Sequence, residues 1–494
     1  MEIKLTHREV PMVAADPLLR KKTQVNIESV VPDTEEDVQS IAWAQGRLLL
    51  KGKDLNTHGV TISGEVQASL ITIGEDGQRL SNLRLSRPFN LEFEIEQPQE
   101  QLLPQIDWCI SCVDAKVLNP RKLAVCFEVT AELQPFHQGS FPVETLLPPS
   151  CEMNLQLQRE VHTALIQRVA TEKSFSLHEQ FPFSELISSP ALLLWEEPGF
   201  RVLDTEQVGN RAIVRGELQL KVWVLDQNGQ PHLQRFSTAF SQLIDLNDET
   251  LDQSRARIFP SSVYFDLIDT VGGEKMLDAE LHAVLQFSAW TKEQVETLCD
   301  AYSCLFPCDC SAAERQMVSS CELQQRNLFW EDSLTLPDDS AQILSVFPSL
   351  GAVESSSEML QLPVSLQILA RGNDGMLQSL NRSITLQGEA LGRGAHMSPP
   401  IWEDFTVQSM GNRLSGKLQV SVPWERSVTE KVMDLEGLTL AEDSPWERDT
   451  APSLYFIRRA GESFWSLGKR FHTRVETIAS CNDENAEWLL IPTD

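Results

Sequence analysis

The residues best suited to chemistry are five cysteines that lie close together in the second half of the chain. They are Cys299, Cys304, Cys308, Cys310 and Cys321. Structural zinc sites usually carry two Cys-x2–4-Cys pairs, and the cluster lacks this paired spacing. We therefore expect reduced, partly buried thiols and no bound metal. Later oxidation of exposed thiols to cross-links is a second interpretation of the same residues.

Motifs of hydrolases, nucleotide-binding proteins and metalloproteases are absent from the sequence. His178-Glu179 does not begin an H-E-x-x-H zinc motif, because the second histidine is replaced by Pro182. The patterns G-x-S-x-G, G-x-x-x-x-G-K-[ST] and G-x-G-x-x-G do not occur, and Gly272-Gly273 fits a hairpin turn. The nine histidines are scattered, and abundant carboxylates are typical of a solvated surface. The sequence thus predicts a protein that is not an enzyme, with no catalytic residues and no cofactor.

The charge balance argues against two classes of partner. The 494 residues include 71 Asp and Glu but 41 Lys and Arg, which gives a formal net charge of −30. Nucleic acids and anionic lipids are bound mainly through Lys and Arg, so neither partner is expected. No segment approaches the roughly 20 apolar residues of a transmembrane helix, and the first residues lack the apolar core of a secretory signal. We expect a cytoplasmic protein without membrane insertion.

The elements that must position any site are strands, and their pattern occurs three times. Three runs of alternating apolar residues each lead into a turn dipeptide. These dipeptides are Asp76-Gly77, Asn228-Gly229 and Asp374-Gly375. Period-two alternation predicts strands with one buried face, and such dipeptides predict type I′ hairpins. A second alternating run follows each hairpin, after Pro120, Gly272-Gly273 and Gly411-Asn412.

This repetition predicts a mainly β protein with three tandem antiparallel β-sandwich-like repeats. The hairpins recur about 150 residues apart, which is the signature of repeated modules. We assign the repeats to residues 1–145, 146–312 and 313–430. The third is degenerate, because it is shorter and because Pro363 interrupts its strand, which predicts an edge position. Less regular structure is expected over 134–175 and 310–335, including a helix over 155–169.

The C-terminal residues follow a different pattern. Residues 431–452 are rich in acids and contain Pro445 and Pro452, which is typical of a linker. Residues 453–494 predict a strand, two helices and a second strand. Ser463 is expected to cap the first helix, and Thr473 to Glu476 form a capping box for the second. Asn482 is predicted to end that helix in a left-handed conformation.

Residues 455–467 resemble the LysM family. The segment from Tyr455 to Leu467 follows the family pattern Y-x-V-x-x-G-D-[ST]-L-W-x-I, with Glu462 in place of Asp and, just beyond, Gly468 in place of Ala. The exposed amides ahead of the first helix and the nearby basic residues are expected to contact a protein partner or a glycan. The candidate binding residues are Arg458, Gly461, Glu462, Ser463, Trp465, Lys469, Asn482 and Ile491.

The repeats resemble SPOCS domains, a family associated with bacterial spore coats. The second repeat carries the best stretches, Val214-Arg215-Gly216-Glu217-Leu218, Phe240 to Asp245 and Thr297 to Ser303. Tandem SPOCS modules followed by a LysM domain are similar to coat morphogenetic proteins of clostridia. The resemblance implies a spore-coat assembly adaptor in the mother-cell cytoplasm, at the outer forespore surface. It also implies that the LysM domain binds the coat-scaffold ATPase, and that other coat proteins are partners.

Two alternatives belong to other classes. A LysM domain could bind peptidoglycan or N-acetylglucosamine in the cortex or cell wall. The repeats could also form a purely structural coat subunit that self-associates through the edges of its sheets.

Overall fold

Strands account for most of the chain, and the helices lie near its C-terminus. The computed structural model describes residues 2–95, 102–148, 155–185, 187, 189–247, 249–335, 340–392, 394–410, 413–447, 453–458, 461–483 and 486–492. The predicted fold class, mainly β with a small C-terminal α+β domain, is confirmed. The first strands form an N-terminal arm, with β1 at Glu2–Ile3 and β2 at Thr6–Ala15.

Module 1 consists of six strands within the described residues. They are β3 (Leu19–Val30), β4 (Val38–Asn56), β5 (Gly59–Gly74), β6 (Leu80–Glu94), β7 (Gln105–Asn119) and β8 (Lys122–Gln134). One antiparallel sheet has the order β3-β8-β7, and the other is the meander β4-β5-β6. The strand β9 (Phe136–Leu146) follows and pairs with the arm strand β2.

Module 2 repeats this strand order, with longer first, fifth and sixth strands and meander strands of the same length. They are β10 (Leu155–Pro182), β11 (Pro190–Val208), β12 (Arg211–Asp226), β13 (Pro231–Asp245), β14 (Gln253–Asp269) and β15 (Lys275–Ser303). The strand β15 lies between β10 and β14, and β11-β12-β13 form the meander. The first, fifth and sixth strands of a module therefore again share one sheet.

Module 3 has the same arrangement with two additional short strands in its described part. Its elements are β16 (Cys308–Thr335), β17 (Ser340–Leu350), β18 (Glu354–Ser355), β19 (Met359–Gly372), β20 (Leu377–Glu389), β21 (His396–Met397), β22 (Ile401–Met410) and β23 (Arg413–Leu440). The strand β23 pairs with β16 and β22, while β19 pairs with β17, β18 and β20. The module extends beyond both predicted boundaries, 313 and 430.

The C-terminal domain has the predicted strand-helix-helix-strand order. Its elements are β24 (Ser453–Ile457), α1 (Phe464–Phe471), α2 (Val475–Cys481) and β25 (Trp488–Pro492). The two strands pair antiparallel. Leu467, Ile478, Leu489 and Ile491 are fully buried and form a core of the domain's own. None of the helices in the described ranges is long and apolar enough to cross a membrane.

The hairpin turns lie where the sequence predicts them, but they are of another type. Gly77, Gly229 and Gly375 have φ of 65°, 75° and 82°, whereas the residue before each glycine has no positive φ. The amide of Gly77 donates to the Gly74 carbonyl at 2.9 Å. These are loops that end in a left-handed glycine, so the type I′ prediction is wrong. The predicted turn at 411–412 lies outside the described residues.

The three modules contact one another in a cycle. Asn82 of module 1 donates to the Leu193 carbonyl of module 2 at 2.8 Å, and Arg235 of module 2 pairs with Asp404 of module 3 at 2.9 Å. The cycle closes where the Leu377 amide of module 3 donates to the Gly77 carbonyl of module 1 at 2.7 Å. At the centre lie buried aromatic residues of all three modules: Trp43, Trp195, Trp223, Phe347 and Trp402.

Several predictions of irregular structure are wrong. Residues 155–169, expected as a helix, belong to β10 and pair with the end of β15. Residues 310–335 belong to β16. Residues 431–440, expected as linker, complete β23, because Val432, Leu435 and Leu438 are buried and because Asp434, also buried, pairs with Arg315 and accepts from Thr145. Only the linker residues after 440 lie outside the strand.

Pro363 is also not on an edge strand. The strand β19 lies between β20 on one side and both β17 and β18 on the other. Pro363 falls between the pairings Leu350 with Val364 and Glu354 with Gln361. A proline lacks the amide hydrogen that a ladder needs, and the break between β17 and β18 accommodates that loss.

Three two-stranded legs extend from the modules and pack together. They are β2 with β9, residues 155–169 with 289–303, and residues 308–321 with 427–440. Their shared core consists of Val143, Ala164, Ile166, Val295, Met317 and Val432. The sheets of the first two legs also join through one parallel pair, Glu144 with Glu296.

Candidate functional site

The loop before α1 carries three of the predicted binding residues. Ser463 is the N-cap of α1, and its hydroxyl accepts from the Ser466 amide at 3.1 Å. The Ser466 hydroxyl lies 3.0 Å from the Ser463 amide, which completes a capping box. Gly461 is exposed and has φ of 87°, a conformation that favours glycine. The predicted cap of α1 is confirmed.

Arg458 and Glu462 hold this loop in place. The Nε atom of Arg458 donates to the Glu462 carbonyl at 2.7 Å, and its guanidinium lies 5.5 Å from the centre of the Phe464 ring. The Glu462 carboxylate pairs with Arg470 at 3.5 Å. These predicted binding residues therefore also have structural contacts within the domain.

Trp465 and Lys469 do not face open solvent but contact module 2. They meet Asp300 and Tyr302 near the end of β15, and we call these four residues the clasp. The indole Nε1 of Trp465 donates to Asp300 Oδ2 at 2.8 Å, and Lys469 Nζ donates to Asp300 Oδ1 at 2.6 Å. The Tyr302 ring meets the Trp465 ring edge-on at 5.0 Å between centroids. Two residues predicted to bind a partner are thus engaged by the chain itself.

The clasp explains one departure from the LysM pattern, Gly468. A Cβ atom at this position would overlap the Tyr302 hydroxyl and would lie 2.8 Å from the Thr473 carbonyl. The Tyr302 hydroxyl instead donates to that carbonyl at 2.7 Å. Glycine in a helix interior costs about 1 kcal/mol relative to alanine, and here it permits close contact between α1 and module 2.

Asp300 and Lys469 of the clasp favour their charged forms. Burial opposes ionisation of Asp300, but hydrogen bonds from Lys469, Trp465 and the Cys310 thiol outweigh it and lower the pKa of Asp300. Partial burial likewise opposes the charge on Lys469, but Asp300 outweighs it and raises the pKa of Lys469. The two groups form an ion pair at neutral pH.

Two further contacts join the C-terminal domain to the rest of the chain. The Val475 amide, at the start of α2, donates to the side-chain carbonyl of Gln156 on β10 at 3.4 Å. The His472 ring stacks on Trp446 with centroids 3.8 Å apart, and the Trp446 indole donates to the Ser303 carbonyl at 3.4 Å. The segment after β23 is therefore anchored before it reaches the domain.

Two of the predicted helix signals are wrong. The Thr473 hydroxyl donates to the Pro492 carbonyl at 2.8 Å, and α2 begins after Arg474 without a side-chain cap. Asn482 is extended, with φ of −136°, whereas the left-handed helix end is His472 after α1. The Asn482 amide group donates to the Ile478 and Leu490 carbonyls, both at 2.7 Å, so it joins α2 to β25. Ile491, also predicted to bind, is buried in the domain core.

The outer face of the C-terminal sheet carries an apolar pair that the sequence analysis did not single out. Ile457 and Trp488 lie opposite each other on β24 and β25, and they are 55% and 63% exposed. Their strand neighbours Phe456 and Leu489 pack inward instead. The sequence did contain a signal for this pair, because Trp488 is an aromatic residue at a position of β25 that alternates with the inward-facing Leu489. We call Ile457 and Trp488 the outer pair.

The cysteine cluster consists of protonated thiols. All nine cysteines in the described ranges are free. Burial raises the pKa of the Cys308 thiol to about 11, and it also raises the pKa of Cys299, Cys304, Cys310 and Cys321. Thiols react and bind metals as thiolates, so these residues are poorly prepared for either role. Among the described residues, no group of His, Cys, Asp and Glu is arranged to hold a metal ion.

A buried charge cluster where the modules meet was missed by the sequence analysis. Arg257 of module 2 pairs with Asp107 of module 1 at 2.5 Å, and Arg255 of module 2 pairs with Glu425 of module 3. Burial opposes ionisation of Glu425, but Arg255 and Arg257 outweigh it and lower its pKa. We call Asp107, Arg255, Arg257 and Glu425 the axial cluster. The paired residues are 150 and 170 positions apart in the sequence, so no local pattern reveals the cluster.

The axial cluster lies beside a cavity of about 1280 Å³ that residues from all three modules line. Each carboxylate of the cluster contacts an arginine. Burial raises the pKa of Asp107, and the neighbouring Arg257 opposes that rise without cancelling it. The geometry favours a role in holding the modules together.

Comparisons with protein-family models, with curated proteins and with solved structures find no match to this chain. The resemblances to the SPOCS and LysM families therefore stay predictions. The structure consists of three modules in a closed cycle and a small C-terminal domain that contacts the leg of module 2 through the clasp.

Proposed function

We propose that the chain is a non-enzymatic adaptor for assembly of the spore coat. In this proposal the C-terminal domain binds the coat-scaffold ATPase at the outer forespore surface, on the mother-cell side. The modules contact other coat proteins or forespore components. The family resemblances motivate the proposal, and the observation that carries it is the exposed outer pair on a domain that has its own core.

An exposed indole beside an exposed isoleucine suits a protein contact. Aromatic residues are enriched at interfaces and often contribute most of the binding energy. The other large apolar side chains of the C-terminal sheet pack inward. The outer pair is therefore the most apolar exposed surface in the described part of that sheet. Gly461 and Ser463, in the loop before α1, are exposed as well.

The first experiment removes the domain. Deleting residues 453–494 from the full chain should abolish co-purification with the coat-scaffold ATPase while the modules stay folded, as measured by circular dichroism and thermal unfolding. Retained binding by the folded deletion variant would contradict the proposal.

A matched pair of surface variants tests the outer pair itself. Trp488→Ser should weaken binding of the purified ATPase by about 30-fold or more, as expected for an aromatic interface residue. Phe329→Ser is the control, because Phe329 on module 3 is equally exposed at 65%. It should leave the affinity unchanged. Equal effects of the two variants would argue against a specific surface.

Glycan binding is the alternative function. The exposed Trp488 favours this alternative, because an indole also offers a flat apolar surface to a sugar ring. Retention of the full chain on purified peptidoglycan, with release by N-acetylglucosamine, would support the alternative and count against the adaptor.

Self-association through sheet edges is disfavoured by the cyclic contacts. The outer meander strands β6, β13 and β20 each pack against the next module in the cycle. Covered edges are poor templates for pairing with another chain. The molar mass in light scattering should therefore be independent of protein concentration.

A further inference from the structure

The face of α1 that contacts module 2 is built like a binding site that is already occupied. Its donors, the Trp465 indole and the Lys469 ammonium, both point to one acceptor, the Asp300 carboxylate. The Tyr302 ring lies against the Trp465 ring and its hydroxyl reaches the backbone after α1. The occupant is thus a carboxylate beside an aromatic ring, two residues apart on one strand.

The absence of a side chain at position 468 fits the same interpretation. Gly468 lets the Tyr302 hydroxyl approach the helix backbone, where a Cβ atom would overlap it. The face is therefore shaped for an aromatic group as well as charged for a carboxylate. A complementary surface of this kind recognises more than a single charge.

The contact between α1 and module 2 can open without unfolding either part. The Asp300 and Lys469 side chains remain 25% and 41% exposed, and ion pairs of that exposure contribute little net stability. The C-terminal domain keeps its own buried core, so it can separate without unfolding. A covalent tether raises the effective concentration to the millimolar range, so even a weak contact stays closed until a competitor binds.

We propose that the α1 face is a protein-binding surface that module 2 occupies in cis, and that an acidic, aromatic surface of the coat-scaffold ATPase displaces Asp300 and Tyr302 from it. The inference rests on the proposed function, because it describes how the C-terminal domain engages that partner. The closed clasp then lowers the apparent affinity of the chain for the ATPase.

The test uses the two halves of one ion pair in the full chain. Asp300→Ala removes the internal competitor, so the purified ATPase should bind about tenfold more tightly, as expected when a largely closed site opens. Lys469→Ala also opens the clasp but removes a partner contact, so binding should weaken about tenfold. Asp309→Ala is the control, because Asp309 is exposed on β16 and makes the same change in net charge.

Deuterium uptake of α1 shows whether each variant opens the clasp. It should increase in Asp300→Ala and Lys469→Ala, while uptake of β25, which contributes Leu489 and Ile491 to the domain core, stays unchanged. Opposite changes in affinity with equal opening support the proposal. Changes in the same direction, or an affinity of Asp300→Ala equal to that of Asp309→Ala, would overturn the inference but leave the adaptor function standing. No binding by any of these proteins, wild type included, would overturn both.

Discussion

The two places where parts of this chain meet differ in kind. At the centre of the three modules, Trp43 is 1% exposed and stacks on Phe347 with ring centroids 4.3 Å apart. At the clasp, the C-terminal domain is held by one buried aromatic residue, Tyr302, and by the partly exposed ion pair of Asp300 and Lys469. Burial of apolar area is strong and non-directional, whereas exposed ion pairs contribute little. The comparison indicates a permanent body and a releasable domain.

The largest effect should come from the aromatic centre. We expect Trp43→Ala to lower the free energy of unfolding by about 4 kcal/mol, because it leaves a cavity between modules. Urea denaturation of the full chain measures this. Trp488→Ala is the matched control and should change stability by less than about 0.5 kcal/mol, as is usual for exposed positions. Similar losses for both tryptophans would remove the distinction.

The axial cluster should come next. Glu425→Ala leaves Arg255 without its partner in a largely buried site, and we expect a loss of about 3 kcal/mol. Glu331→Ala breaks a pair with Lys417 that is exposed on both sides, and we expect a loss below about 0.5 kcal/mol. Urea denaturation of the two variants side by side checks this. A loss for Glu425→Ala no larger than for Glu331→Ala would show that the cluster does not hold the modules together.

Acid should release the clasp. The pKa of Asp300 is lowered in the closed state, so its contribution is complete above the ordinary value of 3.8 and is lost as the pH falls through the shifted pKa. The indole resonance of Trp465 in a ¹⁵N–¹H spectrum should therefore move towards its solvent-exposed position in that range. In Asp300→Asn the resonance should lack this titration. A wild-type resonance that does not respond to acid would contradict the assignment.

The smallest effect on stability should come from the clasp itself. We expect Trp465→Ala to leave the unfolding midpoint of the modules nearly unchanged, within about 0.5 kcal/mol, because the modules do not depend on the domain. The same variant should make the segment after residue 447 more sensitive to limited proteolysis. A loss of several kcal/mol would show that the domain is part of the permanent body.

Local patterns in the sequence predicted the local parts of this structure. Alternation in β8 gives Leu123, Val125 and Phe127 buried, and glycines such as Gly229 end the loops because they adopt positive φ. Ser463 caps α1 as its residue type indicates. In each case the interaction that selects the residue lies within a few positions of it.

Distant contacts could not be predicted in this way. The legs escaped detection because Ala164, Leu165 and Ile166 are all buried between packed sheets, which breaks the alternation that reveals a strand. Trp465 is separated from Asp300 by 165 positions, so its role as a docking residue has no local signal. The charge of residues 431–440 suggested a linker, yet Val432, Leu435 and Leu438 are buried, and the buried Asp434 is compensated by the distant Arg315.

Amide hydrogen exchange on the full chain tests the contrast between permanent body and releasable domain most directly. The Leu377 amide reports closure of the module cycle through Gly77, and the Val475 amide reports docking through Gln156. We predict that Leu377 exchanges only with global unfolding and becomes faster with added denaturant, while Val475 exchanges faster and independently of denaturant. Equal exchange free energies at the two amides would contradict this view of the molecule.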